Sequence, residues 1–184
     1  YLYGNMDMEE KLRFIDEKYL SAFDALDVDS AIKEQAAFSQ VKELQIEYPV
    51  SESEEEEGNT YLSYNMVVGN AMDSTLGVAF DVLDYALLSA PGAPLKQALL
   101  DAGIGKEIYG DYSDGVLQPF FSIVAKGAKT SQKEKFVSVI RNCLQDIVRN
   151  GIDKKAILAG INYMEFRYRE ADFGQFPKGL VYGL

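Results

Sequence analysis

The sequence predicts an α+β fold, a two-layer sandwich in which helices pack on one face of an antiparallel or mixed sheet. Its 184 residues are 47% hydrophobic and 26% charged, a composition typical of a globular domain. Segments with the hydrophobic periods of strands and helices follow one another in the order β, α, β, β, α, α, β, β, α, α. Because strands and helices come in pairs, this order favours such a sheet over a doubly wound parallel one.

The first half of the chain is predicted to hold two helices and two strands. The first helix covers about residues 7–23. Residues 44–50 and 62–68 alternate apolar and polar side chains, as strands do, and a polar loop separates them. Asp73 is a candidate N-cap for a second helix. The first helix is predicted from apolar residues at helical spacing, namely Met8, Leu12, Ile15, Tyr19 and Phe23.

A short helix and a hairpin are predicted next. The helix has Pro94 in its first turn and Gly103 at its end, where proline and glycine are favoured. The hairpin strands cover about 106–112 and 116–126, with a turn at Ser113-Asp114-Gly115. On the second strand, one face is expected to carry Phe121, Ile123 and Ala125, and the other Phe120, Ser122 and Val124.

Two helices are predicted to complete the fold. Ser131 and Glu134 have the spacing of a capping box ahead of the first of them, which Gly151 closes. The second begins near Asp153, and the helical pattern breaks at Gly174 and then at Pro177.

Length and charge restrict the classes of protein. We expect one domain over residues 1–184, and the opening Tyr1-Leu2-Tyr3 looks like the end of a strand, so the domain is expected to be cut from a longer multi-domain chain. The net charge of −11 repels phosphate backbones and anionic lipids, and no run reaches the roughly 18–20 apolar residues of a membrane span, so neither nucleic acid nor membrane is an expected partner. The single cysteine, Cys143, excludes an intrachain disulfide and is expected to fill the core.

The chain contains no histidine. Histidine is the commonest general base and metal ligand, and catalytic zinc normally takes imidazole or thiolate among its ligands. The sequence therefore predicts no catalytic, cofactor-binding or metal-binding residue, and no cofactor.

Three short motifs resemble known sites but lack the residues those sites need. Gly103-Ile-Gly-Lys106 resembles part of a phosphate loop, yet neither the leading glycine nor the hydroxyl after the lysine is present. Ser30 and Lys33 have the spacing of some acyl-transfer enzymes, without the partner motifs of those enzymes. The glutamates between Glu52 and Glu57 lack the spaced ligands of a calcium loop, so they are interpreted as a solvated run.

A cluster of carboxylates near the end of the last helix leaves a carboxylate-based hydrolase as one alternative function. Paired carboxylates perform acid and base chemistry in glycosidases. Here they are interleaved with Arg167 and Arg169, which favours a charged helix surface with ion pairs. The carboxylates are Glu165, Glu170 and Asp172.

Three blocks of sequence resemble the presequence-protease branch of the insulinase, or pitrilysin-related, zinc peptidases. They are Tyr3-Gly4-Asn5 with the helix MEEKLRFIDEKYL (8–20), then SAPGAPLKQALLDAGIG (89–105), and finally NYMEFRYREADFG (162–174) with FPKGL (176–180). The blocks stand in the family's order, and the last is most similar to bacterial members. The resemblance places the chain as the second, non-catalytic domain of the N-terminal half of such an enzyme.

The resemblance implies a parent zinc metalloendopeptidase that degrades peptides. In that family two homologous halves enclose a chamber, and zinc is held by His-x-x-Glu-His and a distal Glu in the preceding domain. This chain lacks that motif, so no site residue is carried over and zinc is expected in a different domain. The implied partners are the other domains of the same polypeptide and, through the assembled chamber, peptide substrates.

The role expected for this chain is to shape the chamber. Phe120 and Phe121 are the residues guessed to touch substrate, and similarity to bacterial members implies a cytoplasmic location. The alternative is a free-standing protein-interaction module of the same fold with no peptidase role.

Overall fold

The computed structural model describes residue 2 and residues 4–51, 58–170 and 173–183. The chain divides into two compact units: a terminal unit, Tyr1–Ile32 with Glu165–Leu184, and a central unit, Lys33–Met164. The polar loop predicted at 51–58, with its glutamates, lies mostly outside the described residues.

The terminal unit contains the first predicted helix. Helix α1 spans Met8–Lys18 and is capped by Asp7, whose carboxylate accepts a hydrogen bond from the Glu10 amide at 3.0 Å. A 3₁₀ turn, Leu20–Ala22, follows it, so the prediction for 7–23 is confirmed with a tighter last turn. A short helix, α6 (Lys178–Gly183), was not predicted.

The sheet of the central unit has three antiparallel strands in the order β1-β3-β2. They are β1 (Thr60–Val67), β2 (Glu107–Ser113) and β3 (Phe120–Ala128). In register, Leu62, Ala125 and Ile108 lie side by side, as do Val67, Phe120 and Ser113. The strands predicted at 62–68 and in the hairpin are therefore confirmed.

Two strand predictions need correction. Residues 44–50 form no strand, and Leu44 and Ile46 are 86% and 82% exposed, because alternation gives a strand only where a ladder of hydrogen bonds is made. In the hairpin, β3 begins at Phe120 instead of residue 116, so residues 114–119 form the connection. Pro119, which has no amide hydrogen, precedes the strand.

Helices α2 (Ser74–Asp84) and α3 (Pro94–Asp101) begin as predicted. The Asp73 carboxylate accepts from the Leu76 amide at 3.0 Å, and α2 continues into a π turn, Tyr85–Ser89. Gly103 has φ of +68°, which places it in the left-handed region where glycine ends helices.

Helices α4 (Lys133–Asn150) and α5 (Lys154–Glu170) complete the described structure up to residue 170. The predicted capping box is wrong, because α4 follows a 3₁₀ turn, Thr130–Gln132, in which the Gln132 side chain accepts from the Lys129 amide at 2.9 Å. Gly151, with φ of +81°, ends α4 as predicted.

One core joins the helices to one face of the sheet, so the α+β sandwich is confirmed. The sheet supplies Leu62, Ile108, Phe121, Ile123 and Ala125. The helical layer contributes Leu87 and Leu88 from the π turn, Leu95 and Leu99 from α3, and Phe136 and Ile140 from α4.

The stretch Ser74–Asp101 is long and apolar enough to cross a membrane by length and hydropathy alone. Its helix is interrupted at Ala90, which has an extended backbone (φ −64°, ψ 151°). Leu88, Leu95 and Leu99, from either side of that break, lie in the core. Part of this stretch therefore packs in the core of the central unit.

Gly110 on β2 allows α2 to approach the sheet. A Cβ atom there would lie 1.9 Å from Asp84 Oδ1 and 2.6 Å from Leu88 Cδ1. Asp84 Oδ2 accepts a hydrogen bond from the Ser89 hydroxyl at 3.0 Å, whereas Oδ1 is buried without a hydrogen-bond partner among the described residues. Burial raises the pKa of the Asp84 carboxyl, the charge of Asp111 raises it further, and the Ser89 bond opposes both.

We expect Gly110→Ala to destabilise the chain by about 1–3 kcal/mol, because the new methyl group forces α2 away from β2. Urea denaturation followed by circular dichroism measures this. Gly115→Ala is the matched control, since a Cβ at Gly115 meets nothing within 4 Å. Equal loss of stability in both variants would contradict the packing described.

We expect Asp84→Asn to flatten the pH dependence of stability. A carboxyl whose folded pKa exceeds its ordinary value of 3.8 stabilises the fold at low pH, and that contribution is lost as pH rises through the folded pKa. The free energy of unfolding of the parent chain, relative to the variant, should therefore fall between acid and neutral pH. Parallel curves for the two proteins would show that the carboxyl is not perturbed.

Candidate functional site

The face of the sheet opposite the helices is not part of the hydrophobic core. We call it the open face. Its residues alternate with the core residues along each strand, so the three strands present rows of side chains across it. They are Tyr61, Ser63, Asn65 and Val67 on β1, Phe120, Ser122, Val124 and Lys126 on β3, and Glu107, Tyr109, Asp111 and Ser113 on β2.

A polar row crosses the middle of the open face. Asn65, Ser122 and Asp111 lie side by side in register. Asn65 Oδ1 accepts from the hydroxyls of Ser122 at 2.7 Å and Ser63 at 2.9 Å. Ser122 is only 6% exposed, so its hydroxyl serves to hold Asn65 in place.

One end of the open face is charged. Lys126 Nζ lies 3.4 Å from Glu107 Oε2. Tyr61 and Glu107 raise the pKa of Lys126, which keeps its ammonium group charged. Both side chains of the ion pair are at least half exposed, so the pair orients groups and contributes little to stability.

The rest of the open face is mainly apolar and aromatic. Val67, which is 60% exposed, lies beside Phe120 in register, and Tyr109, 38% exposed, lies beside Val124. Side chains of this kind contact a ligand through their apolar surface, and tyrosine adds a hydroxyl for hydrogen bonding.

The open face has the chemistry of binding without that of catalysis. Its hydroxyl groups have no histidine to activate them, since the sequence has none. Within residues 4–51, 58–170 and 173–183, no three acidic or cysteine side chains gather as metal ligands. Hydrogen bonding and apolar contact are what this surface can supply.

Of the three carboxylates near the end of α5, the two that the structure describes, Glu165 and Glu170, are exposed and make separate contacts. Glu165 pairs with Arg169 at 2.6 Å on the surface of α5, and the Glu170 carbonyl accepts from Lys178 Nζ at 3.0 Å. Asp172 lies outside the described residues. The interleaved arginines predicted a charged helix surface with ion pairs, and the exposed pair of Glu165 with Arg169 agrees with that prediction.

The other sequence motifs also have structural explanations. Gly103 and Gly105 have positive φ values in the turn before β2, and the Lys106 amide donates to the Lys126 carbonyl at 2.7 Å. Ser30 and Lys33 lie in exposed, non-helical chain.

Cys143 is partly buried against the core and lines an open groove between α3 and α4. Burial and the charge of Asp146 raise the pKa of its thiol, which favours the protonated form. Its expected role in the core agrees with this position.

Phe120 and Phe121 fall on opposite faces. Phe121 is buried, with its ring centroid 5.7 Å from that of Phe80, so it cannot touch a ligand. Phe120 is half-buried on the open face. Tyr61, Asn65 and Tyr109 were not predicted as candidate contact residues, although strand alternation places each of them opposite the apolar positions.

The sequence profile described as the peptidase M16 inactive domain matches residues 1–164. The chain belongs to this family. It is therefore a non-catalytic domain of the M16 type, as the resemblance in its sequence implied, and the glutamate, serine and phosphate-loop motifs need no enzymatic explanation.

Two much longer proteins contain a segment that is similar in sequence to this chain. Protein HypA of Clostridium perfringens is 46% identical over 184 residues, covering 100% of this chain and 19% of that protein. Presequence protease 1, chloroplastic/mitochondrial, of Arabidopsis thaliana is 32% identical over 184 residues, covering 98% of this chain and 17% of that protein. The chain thus spans about one fifth of the length of these relatives.

A crystal structure supports the fold. It is that of the inactive peptidase domain of a protein assigned as a zinc protease, from Bordetella parapertussis. The TM-score is 0.53, the sequence identity is 12%, and 60% of each chain is covered. At this identity the similarity concerns the fold alone.

Phe121→Ala should destabilise the chain by about 3–5 kcal/mol, because it removes a buried ring from between the sheet and α2. Phe120→Ala should cost roughly 1–2 kcal/mol, since that side chain is only half-buried. Chemical denaturation of both variants tests the assignment of the two faces, and a larger loss for Phe120→Ala would reverse it.

Proposed function

We propose that this chain is a chamber-forming domain of a zinc metalloendopeptidase that degrades peptides, and that its open face is turned toward the peptide. The observation that supports this most strongly is the match to the M16 inactive domain over residues 1–164 of a chain that contains no histidine. Catalysis would then belong to another part of the polypeptide, in which zinc activates water and polarises the scissile carbonyl.

The domain would act through the shape and chemistry of its surface. An unfolded peptide presents backbone amides and carbonyls together with apolar side chains. Asn65 and Asp111 offer polar groups for the former, and Val67, Phe120 and Tyr109 offer apolar contact for the latter. None of these contacts demands one sequence, so the surface suits peptides of varied sequence.

The proposed partners are the other domains of the same polypeptide. Relatives about five times as long as this chain favour one domain, residues 1–184, within a larger protein over a free-standing interaction module. The net charge of −11 disfavours nucleic acid and anionic membrane as further partners. We propose a cytoplasmic location on the basis of similarity to the bacterial relative.

Purified residues 1–184 should neither bind zinc stoichiometrically nor cleave an unstructured peptide, whereas the longer polypeptide should do both. The reason is that the chain offers no imidazole, and its one thiol is protonated and half-buried. Metal analysis after dialysis, together with a fluorogenic peptide assay, measures the two properties.

The longer polypeptide assayed with and without a chelator is the control. Zinc retained by residues 1–184 with peptide turnover would refute the proposal, and so would a longer polypeptide that lacks both.

A further inference from the structure

Residues 33–43, which we call the strap, belong to the central unit and contain neither helix nor strand. They are exposed along their whole length, and the large apolar side chains Phe38 and Val41 are 63% and 72% exposed. Burial of apolar surface therefore contributes little to holding the strap, and polar contacts hold it on the central unit.

Gln118 binds the strap by its backbone. Its Oε1 accepts a hydrogen bond from the Gln35 amide at 2.6 Å, and its Nε2 donates to the Gln35 carbonyl at 3.1 Å. A side-chain carboxamide offers one acceptor and donors, which match the amide and carbonyl of a single residue. The contact therefore recognises the main chain and not the side chain of the residue that is bound.

Asn70 makes a second contact, at the preceding residue of the strap. Its Nδ2 donates to Glu34 Oε1 at 2.8 Å, while its Oδ1 accepts from the Met72 amide at 3.0 Å and so fixes the carboxamide. The Ala71 amide donates to the Leu117 carbonyl at 2.9 Å, which places the loops that carry Asn70 and Gln118 side by side. We call the carboxamides of Asn70 and Gln118 the clamp.

The backbone around Gln118 is anchored independently of the strap. The carbonyls of Leu117 and Pro119, on either side of it, accept from the amides of Ala71 and Val68 at 2.9 Å and 2.8 Å. Pro119 is fully buried. The clamp is therefore preorganised, whereas its occupant contributes no buried side chain, and a preorganised site with a weakly held occupant can exchange it for another.

The clamp adjoins one end of the open face. Val67, Phe120 and Ser113 form the row at that end. Gln118 is separated from Phe120 by Pro119 alone, and Asn70 follows β1 closely. A main chain bound at the clamp can therefore continue onto the apolar end of the open face.

We propose that the clamp binds the main chain of an extended peptide, and that the strap occupies the clamp until such a peptide displaces it. The inference rests on the proposed function, in which the open face is turned toward peptide. Any residue with an amide hydrogen can take the place of Gln35, and proline, which has none, cannot. Asn70 accommodates an acceptor side chain, such as that of glutamate, at the preceding position.

Fluorescence anisotropy with the 184-residue chain and a labelled synthetic copy of the strap, KEQAAFSQVKE, tests the proposal. Gln35→Pro removes the amide that Gln118 binds and vacates the clamp, so the affinity for the peptide should rise about five- to tenfold. Gln40→Pro makes the same change elsewhere in the strap and is the matched control, which should leave the affinity unchanged. Adding Gln118→Leu to Gln35→Pro should remove the gain.

Two altered peptides test whether the main chain is what the clamp recognises. With alanine in place of the glutamine equivalent to Gln35, the peptide should bind the Gln35→Pro variant as tightly as the copy does. With an N-methyl group on that glutamine, the amide hydrogen is lost and the gain should disappear.

Four results would overturn the inference: no gain in Gln35→Pro, an equal gain in Gln40→Pro, a gain that survives Gln118→Leu, or undiminished binding of the N-methylated peptide. Each leaves the proposed function standing, because zinc binding and cleavage by the longer polypeptide test that separately. A longer polypeptide without peptidase activity would contradict the proposed function even where the clamp binds peptide.

Hydrogen exchange at the Gln35 amide of the unsubstituted chain gives a second readout if a variant fails to fold. Saturating peptide should speed exchange at this amide, because displacement of the strap frees it. Unchanged or slower exchange on addition of the peptide would overturn the inference.

Discussion

The simultaneous pairing of β3 with β1 and β2 is the interaction on which the rest of the structure depends. As the middle strand, β3 sends Phe121, Ile123 and Ala125 into the core and Ser122 and Val124 to the opposite side. A shift of one residue would exchange these sets and bury a serine where isoleucine now packs. The helices cover the apolar side, and the open face is what remains.

This arrangement gives the chain a shaped surface in place of a reaction centre. The family is one of inactive peptidase domains, and the side chains agree with that assignment. The Ser63 and Ser122 hydroxyls bond to Asn65, and Lys126 pairs with Glu107. The carboxylate with a raised pKa, Asp84, lies between α2 and β2, away from the open face. Each of these groups therefore has a structural role in the part of the chain that the structure describes.

Local sequence signals predicted most helices, the core strands and which residues of β3 share a face of the sheet. Asp73, Gly103 and Gly151 are examples in which a cap or a positive φ value is set by one residue and its neighbours. Local signals were less informative where the pairing of strands decides the structure. Residues 44–50 alternate as a strand should, yet alternation does not specify a partner, and the structure leaves them unpaired. Ser131 and Glu134 had capping-box spacing, but the Gln132 side chain competed for the same turn. Alternation along one strand shows which of its residues share a face, but the rows of the open face combine three strands whose register only the folded structure defines.

The central proposal is that the open face, and not the helical surface, is turned toward peptide. Its most direct test is photo-crosslinking in the longer, zinc-depleted polypeptide, with a benzophenone amino acid at Tyr109 on the open face or at Val148, an exposed position on α4. A bound peptide should be captured at position 109 and not at position 148. Capture at 148 alone, or equally at both positions, would contradict the account.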